Sequence, residues 1–324
     1  MPNIAILYKP TPAHPMVLTK EHIDILASHN TDGVLRLYRD EDELISDDLD
    51  AEILMAWGRD TPAASCQKLK NLKWIQSLSA GTEGLDKIDG LKERGIILSK
   101  MKGVHGYVMA ETCITYILCF LRSFPLMGAR QRAHLWQKPS LCKLRECKDT
   151  TVGIIGMGDI GSRVALLCKR LDMTVLGCRR NPANMENVDR MYALTEIDDM
   201  LKECDFVVDL VPDTPQSAQM FDADFFKKMR DDAVFINIGR GATVDTDALI
   251  AALKSGEIAG AALDAVTPEP LGEDSPLWDM ENVIITPHCS ADSPNYFDRA
   301  VVTISNNLDT YLNKETWRHS RKEA

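Results

Sequence analysis

The stretch Val152-Gly153-Ile154-Ile155-Gly156-Met157-Gly158-Asp159-Ile160-Gly161 decides how this chain folds. It is an apolar run, a GxGxxG turn and then the start of a helical pattern reaching Leu171. In a strand–turn–helix unit the three glycines have separate tasks. Gly156 permits the tight turn, Gly158 lets the backbone approach a pyrophosphate, and Gly161 lets the helix pack close to the strand. The helix start then presents free N–H groups to the anion. GxGxxG alone is weak, because glycine also marks ordinary turns; its place between a strand and a helix makes it a dinucleotide site.

Outward from the turn, the next candidate strand, Thr174–Gly177, runs into Arg179-Arg180-Asn181. An acid about 20 residues after the turn holds the ribose 2′-hydroxyl of NAD. Arg179 stands where that acid is expected. A guanidinium pair attracts a 2′-phosphate, so Arg179 and Arg180 favour NADP(H). NAD(H) stays open, since either arginine can equally be a solvated surface residue.

Strand candidates continue at Phe206–Leu210, Val234–Ile238, Ala261–Asp264 and Val283–Thr286, with helices at Glu196–Lys202, Ala223–Met229 and Thr246–Ser255. This predicts a six-stranded doubly wound parallel sheet of Rossmann type. Before it, the strands Asn3–Tyr8, Val34–Tyr38, Glu52–Trp57, Trp74–Leu78 and Ile96–Ser99 alternate with helical patterns at Thr19–His29, Asp40–Leu49 and Pro62–Leu69. That is a second α/β sheet. One long helix is predicted over Tyr107–Ala129, then an irregular connection over Trp136–Asp149. The final helix, Pro294–Asn313, is expected to return to the first sheet. The expected organisation is a discontinuous substrate domain, 1–102 and 292–324, around a dinucleotide-binding domain, 103–291.

Of the 324 residues, 45% are hydrophobic and 26% charged, which fits folded domains with sizeable cores. The net charge of −11 disfavours nucleic acid and anionic membrane as partners. Nine cysteines, Cys66, Cys113, Cys119, Cys142, Cys147, Cys168, Cys178, Cys204 and Cys289, include no CxxC pair and no zinc-ligand spacing. They read as thiols in a reducing compartment, so the expected location is the cytoplasm, with no metal. The start, MPNIAILYKP, reads as a strand and not a signal peptide. The apolar stretch Tyr107–Met127 is interrupted by Glu111, Arg122 and Pro125, as in a core helix.

Three segments bring reactive side chains to the carboxyl ends of predicted strands. They are Asn237-Ile238-Gly239-Arg240-Gly241, Asp264-Ala265-Val266-Thr267-Pro268-Glu269-Pro270 and Thr286-Pro287-His288-Cys289-Ser290. Ligands sit at that edge in open α/β sheets. Arginine suits a carboxylate substrate, and histidine can give or take the carbonyl proton. A glutamate beside the histidine favours the imidazolium and fixes its orientation. Singly, each has a plainer reading: Arg240 as a turn residue, Glu269 as a rigid loop, His288 as a cap or core histidine.

With these pieces in order, the chain resembles the D-isomer-specific 2-hydroxyacid dehydrogenases, which include glyoxylate/hydroxypyruvate reductases and phosphoglycerate dehydrogenases. The matching segments are GMGDIG, VPDTP, INIGRG, ALDAV with TPEPL, and ITPHCS, and upstream SLSAGTEGLD and VMAET. The resemblance implies a flavodoxin-like substrate domain formed from both chain ends, a cleft between two domains, and a homodimer through the cofactor domains. It implies reduction of a small 2-keto acid to a D-2-hydroxy acid. Arg240 then binds the substrate carboxylate and carbonyl, His288 is the general acid/base, and Glu269 is its partner. Ser79, Ala80 and Gly81 form a loop whose backbone N–H groups help hold the carboxylate. Asp264 lies near the nicotinamide carboxamide, and Pro212 with Val211 lines the cofactor cleft. Asp159, Ile160, Ile238 and Ser290 complete the implied cofactor contacts.

Thr82 and Glu83 depart from the bulky-aliphatic-then-acid pattern usual after the substrate-loop glycine. His105 reads as a hinge residue. Trp136 and Tyr296 are candidates for sizing the substrate. Relatives that are formate dehydrogenases have glutamine where Glu269 stands. The long phosphoglycerate dehydrogenases carry a further regulatory domain, for which a chain ending at Ala324 is expected to have no room. A dinucleotide-sensing corepressor of the same fold is the alternative from another class; the arginine pair counts against it.

Overall fold

A computed structural model describes residues 1–10, 16–57, 62–82, 84–140 and 144–313. Glu83 and Cys142 lie outside the described residues. The chain forms two compact units, Met1–His105 with the chain from Asp292 onward, and Gly106–Ala291.

The first unit begins with β1 (Ile4–Leu7), α1 (Lys20–Ser28), β2 (Leu35–Tyr38), α2 (Glu41–Ser46), β3 (Ile53–Ala56), α3 (Ala63–Lys68), β4 (Trp74–Ser77) and β5 (Ile97–Ser99). Its strands are parallel, in the order β2-β1-β3-β4-β5, the flavodoxin-like arrangement. Runs such as Ile-Ala-Ile-Leu in β1 are buried throughout because helices cover both sheet faces. Ile4, Ile6, Trp74 and Phe297 fill one side, and Ala5, Leu7, Leu54 and Ile75 the other.

The second unit opens with α4 (Gly106–Leu121) and α5 (Phe124–Arg132), which meet at 69°. The single helix expected over Tyr107–Ala129 is thus two. Ser123 takes a left-handed φ of 55°, and Pro125 falls in the first turn of α5, where its missing N–H is harmless. Met109, Cys113, Tyr116 and Ile117 bury α4 in the core, whereas α5 buries no residue. No single helix among the described residues is long and apolar enough to cross a membrane.

Then follow β6 (Thr151–Ile155), α6 (Asp159–Arg170), β7 (Thr174–Cys178), β8 (Arg190–Tyr192), α7 (Ile197–Leu201), β9 (Phe206–Asp209) and α8 (Ala223–Lys228). The unit continues with β10 (Val234–Asn237), α9 (Thr246–Ser255), β11 (Gly260–Leu263) and β12 (Val283–Ile285). Asp245 caps α9 at its start, and Gly256, at φ 76°, ends it. The parallel sheet runs β12-β11-β10-β9-β6-β7-β8, with its switch point between β6 and β9. The expected six strands are seven, because β8, Arg-Met-Tyr, lacks an apolar run. It is an edge strand, held by three residue pairs to β7.

After β12 the chain returns to the first unit as α10 (Tyr296–Leu312). It packs beside α1, where His22 Nε2 lies 2.9 Å from Asp298 Oδ1 and His29 Nδ1 lies 2.8 Å from Asp309 Oδ1.

Candidate active site

The turn after β6 gives each glycine a physical reason. Gly156 has φ 105°, and a Cβ on it would lie 2.6 Å from the Leu210 carbonyl oxygen. A Cβ on Gly161 would lie 2.6 Å from the Gly156 carbonyl oxygen, so α6 could not start so close to β6. A Cβ on Gly158 would meet nothing within 4 Å. Gly158 caps α6 with no side-chain acceptor on the first-turn N–H groups. Open space beside uncapped N–H groups fits a pyrophosphate. Asp159, on the first turn, pairs with Arg163 at 3.4 Å, and Ile160 beside it is half-buried.

Arg179 follows β7, half-buried, with Nη1 3.7 Å from Met185 Sδ and its N–H on the Tyr192 carbonyl. Arg180 is exposed. Among the described residues neither arginine pairs with a carboxylate, so both keep an uncompensated charge at the strand end where a 2′-phosphate is expected. After β9, Val211 donates to Asp209 Oδ1 at 2.7 Å, and the exposed Pro212 accepts at its carbonyl from Ser217 Oγ at 2.6 Å.

Arg240 leaves β10 through the buried Ile238 and Gly239. Its carbonyl accepts from Asn237 Nδ2 at 3.1 Å and Thr243 Oγ1 at 2.6 Å, while Asn237 Nδ2 also reaches the Ala265 carbonyl at 3.2 Å. Gly241 permits close contact with the next loop, since a Cβ there would lie 1.9 Å from the Val266 carbonyl oxygen. The loop carrying Arg240 is therefore fixed on the loop carrying Glu269.

Asp264, 2% exposed at the end of β11, ties down the third loop. Oδ1 accepts from Thr286 Oγ1 at 2.6 Å and the Cys289 N–H at 2.9 Å, and Oδ2 accepts the Ser290 N–H at 3.0 Å. Thr286 also hydrogen-bonds the Tyr116 hydroxyl from α4. His288 takes a left-handed φ of 51°, unusual outside glycine, and its N–H lies 3.0 Å from the Asp264 carbonyl. This clamp holds the imidazole with Nδ1 2.7 Å from Glu269 Oε1. An ionised carboxylate only accepts, so Nδ1 carries the proton and Nε2 is the nitrogen left for chemistry.

The other candidates lie in the first unit. Ser77 Oγ and Ser79 Oγ each donate to the Gly81 carbonyl at 2.9 Å. Among the described residues the N–H groups of Ala80 and Gly81 have no partner, as a carboxylate-holding loop requires. His105 is buried against Tyr296, ring centroids 5.5 Å apart. Tyr296 is itself buried, with its hydroxyl on the Leu78 carbonyl, and so is a core residue and not a substrate-sizing one. Trp136 is fully exposed. Sequence reasoning missed Asp209, Thr243 and Thr286. A lone acid closing the apolar strand Phe206–Asp209 was the available signal for the first. Among the described residues no cluster is arranged to hold a metal ion.

A Rossmann sheet with this glycine turn, beside a glutamate-paired histidine, defines a nicotinamide-dependent oxidoreductase. The family model for the D-isomer specific 2-hydroxyacid dehydrogenase, NAD binding domain, matches residues 114–290. The chain is 32% identical over 316 residues, 95% of each chain, to glyoxylate/hydroxypyruvate reductase B of Shigella dysenteriae. Among solved structures it is similar to a D-isomer specific 2-hydroxyacid dehydrogenase family protein of Aeromonas salmonicida, with TM-score 0.84, 28% identity and 98% of each chain covered. The NADPH-dependent glyoxylate/hydroxypyruvate reductase of Sinorhizobium meliloti, in complex with NADP and sulfate, gives TM-score 0.82 and 26% identity, covering 99% of this chain and 98% of that one. The chain belongs to the D-isomer-specific 2-hydroxyacid dehydrogenase family and is an NAD(P)-dependent enzyme of that class.

Proposed function

We propose that this enzyme reduces a small 2-keto acid to the D-2-hydroxy acid, with NADPH preferred over NADH. The observation that carries the reading is the 2.7 Å contact between His288 Nδ1 and Glu269, on loops fixed to the one that holds Arg240. A nicotinamide dinucleotide held at the Gly156–Gly161 turn would supply the hydride for the carbonyl carbon. Arg240 binds the substrate carboxylate and polarises the carbonyl. His288 Nε2 gives its proton to the carbonyl oxygen, and Glu269 stabilises the imidazolium beforehand. The backbone N–H groups of Ala80 and Gly81 are assigned to the substrate carboxylate, with Ser79 shaping their loop. The substrate domain is assigned to 1–102 and 292–324, and the cofactor domain to 103–291.

The dinucleotide is assigned to the Gly156–Gly161 turn and α6, with Arg179 and Arg180 on a 2′-phosphate, as NADP use by the Sinorhizobium relative supports. Val211, Pro212, Ile238 and Ser290 line its remaining length. Asp264 is assigned first to clamping the His288 loop, with one acceptor site on Oδ2 left for a carboxamide. We assign a homodimer through the cofactor domains, supported by exposed Phe124, Leu135 and Trp136 on and beyond α5. The free thiols support a cytoplasmic location.

Nicotinamide absorbance, followed with NADPH or NADH against glyoxylate, hydroxypyruvate and bulkier 2-keto acids, tests the reading. The expected result is turnover of a small 2-keto acid, faster with NADPH. No turnover with any of them would replace the enzyme reading with a dinucleotide-binding module.

A further inference from the structure

Asp209 closes β9 with its side chain fully buried, away from the proposed proton and hydride transfers. Its Oδ2 lies 2.6 Å from Thr243 Oγ1, and the same Oγ1 lies 2.6 Å from the Arg240 carbonyl oxygen. A threonine hydroxyl has a single proton. A carbonyl has none, so one proton shared between both oxygens makes two weak bonds, whereas a second proton, which the Asp209 carboxyl can carry, makes both contacts full hydrogen bonds. With Oδ2 protonated, Asp209 donates to Thr243 and Thr243 donates to the Arg240 carbonyl. Oδ1 meanwhile accepts the Val211 N–H at 2.7 Å, so every atom in the chain is paired. With Asp209 ionised, Thr243 must turn its proton to one side, leaving lone pairs facing each other on the other.

We propose that Asp209 is a neutral carboxylic acid that positions Arg240 through Thr243. The inference rests on the reading of Arg240 as the substrate-carboxylate ligand. Asp209's neighbours in register are Ile155 of β6 and Asn237 of β10, both uncharged. Among the described residues, the charge that acts on it is Arg240, on the loop after β10. Burial raises the carboxyl to about 7, against the opposing pull of Thr243, Val211 and Arg240. Ionisation would place a negative charge behind the arginine and loosen its carbonyl anchor, both of which weaken anion binding. By linkage, a bound anion favours the protonated form, so substrate KM rises as pH passes through that range.

Carboxyl carbon NMR on the full-length, aspartate-labelled protein reads the proton directly. The signal absent from Asp209→Asn is expected to titrate near 7, in line with the burial effect. A midpoint in the ordinary carboxylate range would overturn the assignment. In Asp209→Asn the amide N–H replaces the acid proton towards Thr243, so the high-pH rise in keto-acid KM should flatten. Thr243→Val cuts the relay and should raise KM about tenfold with a smaller change in kcat. Identical KM profiles for wild type and Asp209→Asn would overturn the link to Arg240. If no keto acid is turned over, the functional reading fails separately, and the NMR titration still decides the protonation of Asp209.

Discussion

His288 and Glu269, 19 residues apart in sequence, meet through Nδ1 and Oε1 at 2.7 Å, with both side chains close to half exposed. The pair sets the histidine tautomer and leaves Nε2 as the nitrogen free of that contact, the atom to which the proposed proton transfer is assigned. In Glu269→Gln the amide oxygen can still accept from Nδ1, so orientation survives and the negative charge does not. We expect kcat to fall about tenfold or more with little change in KM, measured by steady-state kinetics. An unchanged kcat would leave Glu269 as a loop residue.

The glycines separate folding from binding. Gly156→Ala places a side chain against the Leu210 backbone at a positive φ, so Tm should fall, by an amount equivalent to about 1–2 kcal/mol or more. Gly158→Ala meets nothing within 4 Å, so Tm should hold while the dinucleotide Kd rises. Calorimetry with a cofactor titration checks both. A cofactor Kd unmoved by Gly158→Ala would remove the turn from the binding site.

Much of this was legible in the sequence, for physical reasons. Buried parallel strands read as apolar runs, and the GxGxxG turn, Arg240, Glu269 and His288 stand at strand ends where punctuation is strong. What stayed hidden depended on tertiary contacts. The strand β8 is a polar edge whose only signal is its pairing with β7. The break at Ser123 had one signal, Pro125 two residues on, but the left-handed turn that separates the two helices is a backbone event. Asp264 stood out as an acid closing an apolar strand, but its clamp on Cys289 and Ser290 needs the folded β11 and β12. The proposed protonation of Asp209 rests on a contact with Thr243, 34 positions away.

That proton also sets a stability trend. The folded Asp209 carboxyl is raised from 3.8 to about 7 by burial. Between those values the native state keeps a proton that the unfolded state has released, so its contribution falls as pH rises and levels off above about 7. Asp209→Asn carries no such penalty. Its stability relative to wild type should improve across that window by roughly 4 kcal/mol at most. Denaturant unfolding across the window checks this, and a constant difference between the two proteins would contradict it.

Arg179 addresses coenzyme choice. Arg179→Asp replaces a guanidinium that has no carboxylate partner among the described residues with a carboxylate that repels a 2′-phosphate and accepts from a ribose hydroxyl. The NADPH-to-NADH ratio of kcat/KM should shift towards NADH by about tenfold or more. An unchanged ratio would leave Arg179 as a surface residue.

Transfer of the carbonyl proton by His288 is decided by His288→Ala, with turnover and dinucleotide binding measured on the same preparation. The kcat for the best keto acid should fall by about 10²–10⁴-fold while the dinucleotide Kd stays within about a few-fold of wild type. Turnover at the wild-type rate would contradict it.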